Sequence, residues 1–281
     1  MDLDLRKVRY FVAVAEELHF GRAAERLHIA QPVLSRQIRA LEDELKTRLF
    51  SRDRRATALT PAGEQLLADA RPLLAAAEAT RRRLARAARG TETFTIGFMP
   101  GLIVTGAVRE LSRRHPRLGV EVVRTGWDDQ IEVIHDGRVD VGYVRLPVDR
   151  RGLEVRDLFT EPRVAVLPAG HPLADRDALR VSDLAGERLL QDPAAVPEWP
   201  VSGVEPPPSI RTVEEKLEHV AAGHGVVVLP LSTATFYSRP GIARAEVSGL
   251  GPSAVCLAWD AARPSRLIEE FAAIAAEHGT V

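Results

Sequence analysis

Apolar residues recur at helical spacing in the first ninety positions. Between Gln31 and Leu45 they form a single stripe whose steps of four, three and four residues predict a helix with one buried face: Leu34, Ile38, Leu41 and Leu45. Pro32 suits the first turn of that helix, where its missing N–H costs no hydrogen bond. A similar pattern predicts an earlier helix over about Leu3–Glu17. Together they predict a small helical domain.

A short predicted helix, from about His19 to Leu27, precedes the Gln31–Leu45 helix, with His28–Ala30 as the corner between them. The polar side of the second helix carries side chains that can read base edges in a DNA major groove. These candidates are Gln31, Pro32, Ser35, Arg36 and Arg39. An ordinary amphipathic helix pair with a solvated charged face remains open, because this spacing alone is a weak signal.

The segment after this helix pair predicts a two-stranded wing. Short pieces rich in β-favouring residues, Leu49–Arg52 and Thr57–Thr60, flank a charged turn. Arg52, Arg54 and Arg55 would lie at its tip and reach phosphates or the minor groove. Three arginines on an exposed turn can equally be solvated, so both interpretations stay open.

Thr60–Pro61 begins a helix that the pattern extends to about Arg89. Its apolar seam alternates steps of four and three: Leu66, Ala70, Leu73, Ala77, Thr80 and Leu84. A lone helix of this length cannot bury such a seam, so we expect it to pair with another helix. Pro72 predicts a kink or a local break near Ala68–Arg71.

From Thr93 onward strands alternate with helices, the pattern of a mostly parallel sheet. The predicted strands are Phe94–Phe98, Val120–Val123, Val141–Val144, Leu153–Phe159, Arg163–Leu167, Val226–Leu229 and Ala254–Trp259. The predicted helices are Leu102–Arg114, Asp128–Asp136, Thr212–Ala222 and Ser265–Glu277, with a proline-rich loop over Asp192–Ser209. The length of 281 residues suits two or three domains.

Charge is divided unevenly along the chain. Residues 1–90 hold 18 Lys and Arg against 12 Asp and Glu, whereas the remainder holds 20 against 27. A basic N-terminal segment indicates a module that binds a polyanion. The only cysteine, Cys256, lies in an apolar run, which fits a buried side chain and a reducing compartment. With charges near its start and no uninterrupted apolar span, the chain is expected to be a cytoplasmic protein without a membrane segment.

Other classes of function fit less well. The chain lacks phosphate-loop, dinucleotide, zinc-protease and nucleophile-elbow motifs, so we expect no enzyme. His219 and His224 are five residues apart across a glycine, a spacing that argues against a metal pair, and no metal is expected. A solute-binding protein would not need the basic first ninety residues, and a purely architectural DNA-binding protein would not need the remainder.

Three segments carry a family resemblance. RAAERLHIAQPVLSRQIRALEDEL with the following RLF and LTPAGEQLL, then LPAGHPLA and AAGHGVVVLP, resemble the LysR-type transcriptional regulators over the whole chain. HFGRAA and YVRLP are similar to the branch that senses aromatic acids or their degradation products. The resemblance implies an α+β and α/β fold: a winged helix-turn-helix domain (1–60), a dimerising linker helix (61–90) and an effector-binding domain (91–281) like a periplasmic binding protein.

Within the effector domain, the resemblance implies two Rossmann-like subdomains, the first comprising 91–161 and 262–281 and the second 162–261. The chain would cross near Thr160–Pro162 and again near Asp260–Pro264. A small-molecule effector, an aromatic or dicarboxylic acid, would bind between them, with no other cofactor. The expected partners are operator DNA, a second copy through the linker helix, a dimer of dimers, and RNA polymerase.

Family positions map the base contacts onto Gln31, Pro32, Ser35 and Arg36, with Arg54 as a backbone contact. The candidate effector-binding residues are Met99, Pro100, Gly101, Thr105, Thr125, Asp128, Arg145, Leu146, Ser202 and Val226. The family's usual hydroxyl is missing before Thr105, and Asp128 would repel an anion, so a neutral ligand stays open. Arg145 follows a strand end and is expected to grip a carboxylate or to pair with an acid such as Asp128.

Overall fold

The computed structural model describes residues 3–53, 56–87, 92–176, 178–200, 210 and 212–279. Two compact units are present. The first takes in Met1–Ala85 and His135–Gly137, and the second takes in Arg86–Ile134 and Arg138–Val281.

The first unit contains a winged helix-turn-helix domain. Its elements are α1 (Leu5–Glu17), α2 (Phe20–Arg26), α3 (Gln31–Leu45) and the paired antiparallel strands β1 (Phe50–Asp53) and β2 (Ala56–Leu59). Leu34, Ile38 and Leu41 of α3 are fully buried, which confirms the predicted stripe. They pack in one core with Phe11 of α1 and Phe50 of the wing, whose ring centroids are 5.4 Å apart.

A buried acid joins α3 to the wing. The Glu42 carboxylate accepts hydrogen bonds from the Leu49 N–H at 2.9 Å, the Phe50 N–H at 3.3 Å and Arg48 Nη1 at 3.0 Å. Its side chain is only 1% exposed, so these bonds replace the solvation that burial removes. The contact fixes where the wing leaves the recognition helix.

The helix α4 (Pro61–Ala87) runs without interruption through Pro72, so the predicted break is absent. Proline removes one backbone hydrogen bond, and the alanine- and leucine-rich turns on both sides are strong helix formers that sustain the helix. Leu66 packs on the winged-helix core and Ala70 is buried, but Leu73 is 40% and Leu84 67% exposed. The second half of the predicted seam is therefore uncovered in the single chain.

The second unit contains two sheets. The five-stranded sheet has the order β4-β3-β5-β11-β6 and is built from β3 (Thr93–Phe98), β4 (Gly119–Arg124), β5 (Val141–Arg145), β6 (Leu153–Glu161) and β11 (Ser253–Asp260). The four-stranded sheet has the order β8-β10-β7-β9 and is built from β7 (Arg163–Pro168), β8 (Ala178–Arg180), β9 (Val227–Pro230) and β10 (Ile242–Ser248). Its helices are α5 (Thr105–Arg114), α6 (Glu132–His135), α7 (Val213–Ala221), α8 (Leu231–Phe236) and α9 (Arg266–Glu277).

The sheets are mixed, which corrects the expectation of a mostly parallel sheet. The strand β3 pairs parallel with β4 and β5, but β11 runs antiparallel to β5 and β6. In the other sheet β10 pairs parallel with β8 and antiparallel with β7. The reversal arises because the chain enters the four-stranded sheet directly from β6 and returns directly into β11.

The return crossing was predicted at the wrong place. Because β11 hydrogen-bonds between β5 and β6, residues 253–261 belong with the first subdomain and not the second. The chain leaves the five-stranded sheet at Pro162 and comes back through Gly249–Pro252. The glycines and the proline of Gly249–Pro252 are the turn residues that mark the return crossing. The turn at Asp260–Pro264 only links β11 to α9.

Several elements differ from the sequence-based expectation. The strands β8 and β10 and the helix α8 were not predicted, and the helix expected over Asp128–Asp136 is reduced to Glu132–His135. The Asp129 carboxylate accepts the Gly126 N–H at 2.7 Å, which closes a local turn where the helix would otherwise begin.

Candidate functional site

The exposed side of α3 carries the residues predicted to read DNA. Gln31, Pro32, Arg36 and Arg39 are exposed and Ser35 is half-buried. Within the described residues, Arg36 and Arg39 make no hydrogen bond or ion pair through their side chains.

Other arginines of this unit are engaged, which makes the two on α3 distinctive. Arg22 and Arg26 pair with Glu17 and Glu16, and Arg9 pairs with Glu78. Two unpaired guanidinium groups projecting from a recognition helix can donate bidentate hydrogen bonds to guanine or bind phosphates.

The wing is described only in part. The backbone of Arg52 lies in β1 opposite Thr57. Arg54 and Arg55 lie outside the described residues, so their role remains a prediction. The same holds for Ser202, in the proline-rich loop.

A cleft of about 850 Å³ lies in the second unit between the two sheets. The five-stranded sheet contributes the segments that follow β4 and β5, and the other sheet contributes β7, β9 and the loop after Gln191. Its lining residues include Trp127, Asp128, Gln130, Arg145, Leu146, Arg163, Glu198, Lys216 and Ser253. A cavity of this size at strand ends suits a small organic ligand.

The cleft brings together three of the predicted effector-binding residues: Asp128, Arg145 and Leu146. Others lie elsewhere, which corrects the sequence-based set. Met99 and Val226 are fully buried in the hydrophobic cores on either side, because the strand ends that carry them point their side chains inward. Thr125 is buried at 3% exposure, and Thr105 is exposed at the start of α5.

The Pro100–Gly101 turn contacts α8 and does not line the 850 Å³ cleft. The Thr233 hydroxyl donates to the Pro100 carbonyl at 2.9 Å. A Cβ at Gly101, whose φ is +82°, would come within 2.5 Å of Thr233 Cα. The hydroxyl that contacts the loop after β3 therefore belongs to Thr233 of α8 and not to a residue of the loop itself.

Arg145 is 2% exposed, and its guanidinium group already has hydrogen-bond partners, although Asp128 is not one of them. Its Nη1 pairs with Glu161, the last residue of β6, and lies 3.3 Å from the Ser253 hydroxyl. Its Nη2 donates to the Ser232 hydroxyl at 2.9 Å. Burial lowers the pKa of the Arg145 guanidinium and the Glu161 charge opposes that shift. The sequence could not show this pairing, because Glu161 looks like an ordinary strand-end acid.

Glu161 extends the same network to α8. Its carboxylate accepts the Ser232 N–H at 2.6 Å and the Ser232 hydroxyl at 3.1 Å. Arg145 and Glu161 both belong to the five-stranded sheet, so their hydrogen bonds to Ser232 of α8 are what tie this sheet to the segment that follows β9 of the other sheet. A salt bridge this deep is held by the hydrogen bonds around it.

A second ion pair lies on the other wall. Arg163 Nη2 donates to Glu198 Oε1 at 2.7 Å, and its Nε donates to the Gly251 carbonyl at 2.6 Å. The Gly251 N–H donates to the same Glu198 Oε1 at 2.9 Å. Burial opposes ionisation of Glu198, but the Gly251 and Arg163 hydrogen bonds outweigh it and lower the pKa of this carboxyl.

Lys216 is the cleft cation that sequence analysis missed. Its ammonium lies 5.6 Å from the centroid of the Trp127 ring, a cation–π geometry. Burial lowers its pKa, an effect that the Asp128 charge opposes. Within the described part of the chain Lys216 makes no ion pair at contact distance. It is 89 residues away from Trp127 along the chain, so no sequence pattern joins the two.

Two further features lie outside this cleft. A smaller cavity of about 260 Å³ is lined mainly by apolar side chains, including Leu102, Tyr143, Phe159 and Phe236. The rings of His219 and His224, whose spacing argued against a metal pair, approach to 2.9 Å between their Nδ1 atoms. Gly223, at φ +77°, turns the chain back after α7 and brings the rings together.

The described residues show neither a metal-binding cluster nor a membrane-spanning helix. They contain no group of three or more His, Cys, Asp or Glu side chains placed to hold a metal ion. None of their helices is both long and apolar enough to cross a membrane. The Cys256 thiol is buried and lies 3.2 Å from Asp157 Oδ1; burial first, and then Asp157, raise its pKa to about 12.

Comparison with known proteins agrees with both domains. Residues 5–64 match the bacterial regulatory helix-turn-helix protein, lysR family, and residues 87–280 match the LysR substrate binding domain. The Hca operon transcriptional activator HcaR of Escherichia coli is 34% identical over 98% of each chain. The transcriptional regulator BenM of Acinetobacter baylyi is 33% identical over 82% of this chain and 81% of its own.

A solved structure shows the same fold. The LysR family transcriptional regulator CbnR superposes with a TM-score of 0.61 at 23% identity, covering 99% of this chain and 100% of that one. The chain therefore belongs to the LysR family of transcriptional regulators, with a DNA-binding helix-turn-helix domain and a domain through which a small-molecule effector modulates its activity.

Proposed function

We propose that this regulator reads its operator through α3 and senses its effector in the 850 Å³ cleft. The observation that supports DNA recognition is that the guanidinium groups of Arg36 and Arg39 are exposed and make no ion pair with the other described residues. Gln31, Pro32 and Ser35 complete the reading surface, and the wing arginines Arg52, Arg54 and Arg55 bind phosphates. No catalytic step is part of this function, and it places the protein in the cytoplasm with the DNA.

Assembly follows from the uncovered part of α4. Leu73 and Leu84 expose large apolar side chains on the seam side of a helix whose earlier turns are packed within the chain. An antiparallel helix from a second copy buries them and brings two recognition helices to one operator. A dimer of dimers and contact with RNA polymerase extend the same function.

The charges lining the cleft favour one class of effector. Arg145 is neutralised by Glu161 and Arg163 by Glu198, which leaves Lys216 as the cation free of a contact ion pair among the described lining residues. Asp128 adds a further negative charge to the lining. One available cation suits one carboxylate, so an aromatic monocarboxylic acid stacking on Trp127 fits better than a dicarboxylic acid.

The test of the DNA half is Arg36→Ala in the full chain. Loss of a bidentate base contact should cost about 1–3 kcal/mol at the cognate base pair. The measurement is competition binding between the operator and single-base variants. The matched control is Arg22→Ala, which removes an arginine of the same domain that is engaged by Glu17. Unchanged operator preference in Arg36→Ala would show that α3 is presented differently.

A further inference from the structure

The helix that precedes the recognition helix begins at a histidine. His19 is the N-cap of α2, and its Nδ1 atom accepts hydrogen bonds from the Gly21 N–H at 3.1 Å and the Arg22 N–H at 3.2 Å. Serine, threonine, aspartate and asparagine are the residues preferred at this position, and their oxygens accept such bonds at neutral and mildly acidic pH alike. An imidazole nitrogen accepts only while it carries no proton. The cap of α2 therefore depends on the charge state of one histidine.

The backbone at Gly21 leaves room for this imidazole. A Cβ built at Gly21 would lie 2.9 Å from Cε1 and 3.2 Å from Nδ1 of His19. A larger residue at position 21 would therefore press on the ring that holds the two amide groups. His19 and Gly21 both belong to the HFGRAA segment, so the contact gives this part of the sequence a structural role.

No acid of the described chain compensates for a charge on the His19 ring. The two amide N–H groups are the only hydrogen-bond partners of the ring among the described residues. The first turn of α2 holds no acidic residue. The acids that precede His19 are already paired with arginines of α2 and α4: Glu17 with Arg22 and Arg26, and Glu16 with Arg26 and Arg71. A protonated ring would face the positive end of the α2 dipole, so the capped state favours the neutral ring.

The short length of α2 makes its cap important. The helix spans seven residues, and helices of this length do not persist without tertiary support. Ala23 and Ala24 are buried in one core with Leu34 and Ile38 of the recognition helix α3. Loss of the cap therefore loosens the element against which α3 packs.

We propose that His19 is a pH-dependent positioning residue of the DNA-binding domain. With a neutral ring it caps α2 and holds this helix against α3. Protonation of Nδ1 removes the acceptor, and the first turn of α2 opens. The capped state binds one proton fewer than the open segment, so the stabilisation is present at higher pH and is lost as the pH falls through the range in which imidazoles titrate, about pH 8 to 5. The inference does not depend on which side chains of α3 read DNA.

The test is hydrogen–deuterium exchange of the full chain at about pH 7.5 and about pH 5.5, with rates corrected for the intrinsic effect of pH on exchange. Protection factors of residues 20–26 report local opening of α2. The worth of an ordinary N-cap corresponds to about a fivefold change in opening, so protection should fall about fivefold at the lower pH. Equal protection factors at both pH values would overturn the proposal.

Three variants assign the effect to the ring. His19→Ser supplies a cap that does not titrate in this range, so it should keep the protection at both pH values. His19→Ala has no acceptor and should show the lower protection at both. His28→Asn is the matched control, because His28 follows α2 with φ at +54°, a conformation that asparagine tolerates, and it should keep the wild-type response.

The variants also decide against the proposal where it fails. A pH response that persists in His19→Ser, or that disappears in His28→Asn, would show that another group titrates. Arg36→Ala should keep the wild-type exchange response, because Arg36 takes no part in the cap. The proposed reading surface can therefore fail in the competition assay while the exchange response of α2 stands, and the reverse outcome is equally distinguishable.

Discussion

Removing the Arg145 guanidinium tests how much the buried ion pair with Glu161 stabilises the effector domain. Arg145→Met keeps the apolar stem and leaves Glu161, which is 0% exposed in its side chain, without its cation. Breaking one partner of a buried ion pair costs about 3–5 kcal/mol. The Ser232 N–H and hydroxyl still donate to Glu161, which places the expected loss toward the lower end of that range.

The assay is thermal unfolding of the full chain. For a domain of this size, the loss corresponds to a fall of about 6–20 °C in the transition temperature of the effector domain. Arg151→Met is the matched control, since that arginine is 91% exposed and pairs, among the described residues, with Asp149 alone, and it should leave the transition in place. Combining Arg145→Met with Glu161→Gln should cost less than the sum of the two single changes, because the second change removes the charge stranded by the first.

A transition for Arg145→Met within about 2 °C of wild type would refute the reasoning. It would mean that the buried ion pair does not carry the stability that its depth implies. If the stability losses of the two single variants add up to that of the double variant, their coupling energy is zero and the same conclusion follows.

Two other substitutions test the DNA-binding half. Leu73→Glu places a charge on the uncovered seam of α4 and should convert the dimer to monomers in sedimentation velocity. Ala68→Glu, on another face of the helix, is the control and should leave the dimer intact. An intact dimer of the Leu73→Glu variant would contradict the proposed seam. Gly63→Ala puts a Cβ within 2.2 Å of the Leu49 carbonyl, so it should destabilise the winged domain by about 1–3 kcal/mol in urea unfolding, and an unchanged midpoint would show that the turn can yield.

The helix-turn-helix domain was predictable because its signals are local. The stripe of Leu34, Ile38 and Leu41 lies within three turns, and Pro32 marks the helix start. The sequence did not show that the Glu42 carboxylate accepts hydrogen bonds from the start of the wing, because a glutamate on a helix is usually solvated. Its backbone partners lie beyond the end of the helix, where no helical pattern indicates them.

The effector site was predictable only in part, because its contacts join distant segments. Strand ends located Asp128 and Arg145 at the cleft, as the topology of α/β sheets requires. Arg145 and Glu161 are brought together because β11 lies between β5 and β6, whereas the sequence-based prediction had placed β11 in the second subdomain. Lys216 and Glu198 come from segments with no pattern linking them to the sheet.

The state of Cys256 has a practical consequence for observing this protein at work. Its thiol is the only one in the chain, is fully shielded, and has a pKa of about 12, so almost none is present as the reactive thiolate at neutral pH. Two cysteines introduced at exposed positions, of which Phe236 is one, would then be the sites that a maleimide dye or spin label modifies. Spectroscopic distances across the effector domain can therefore be measured without first replacing the native cysteine.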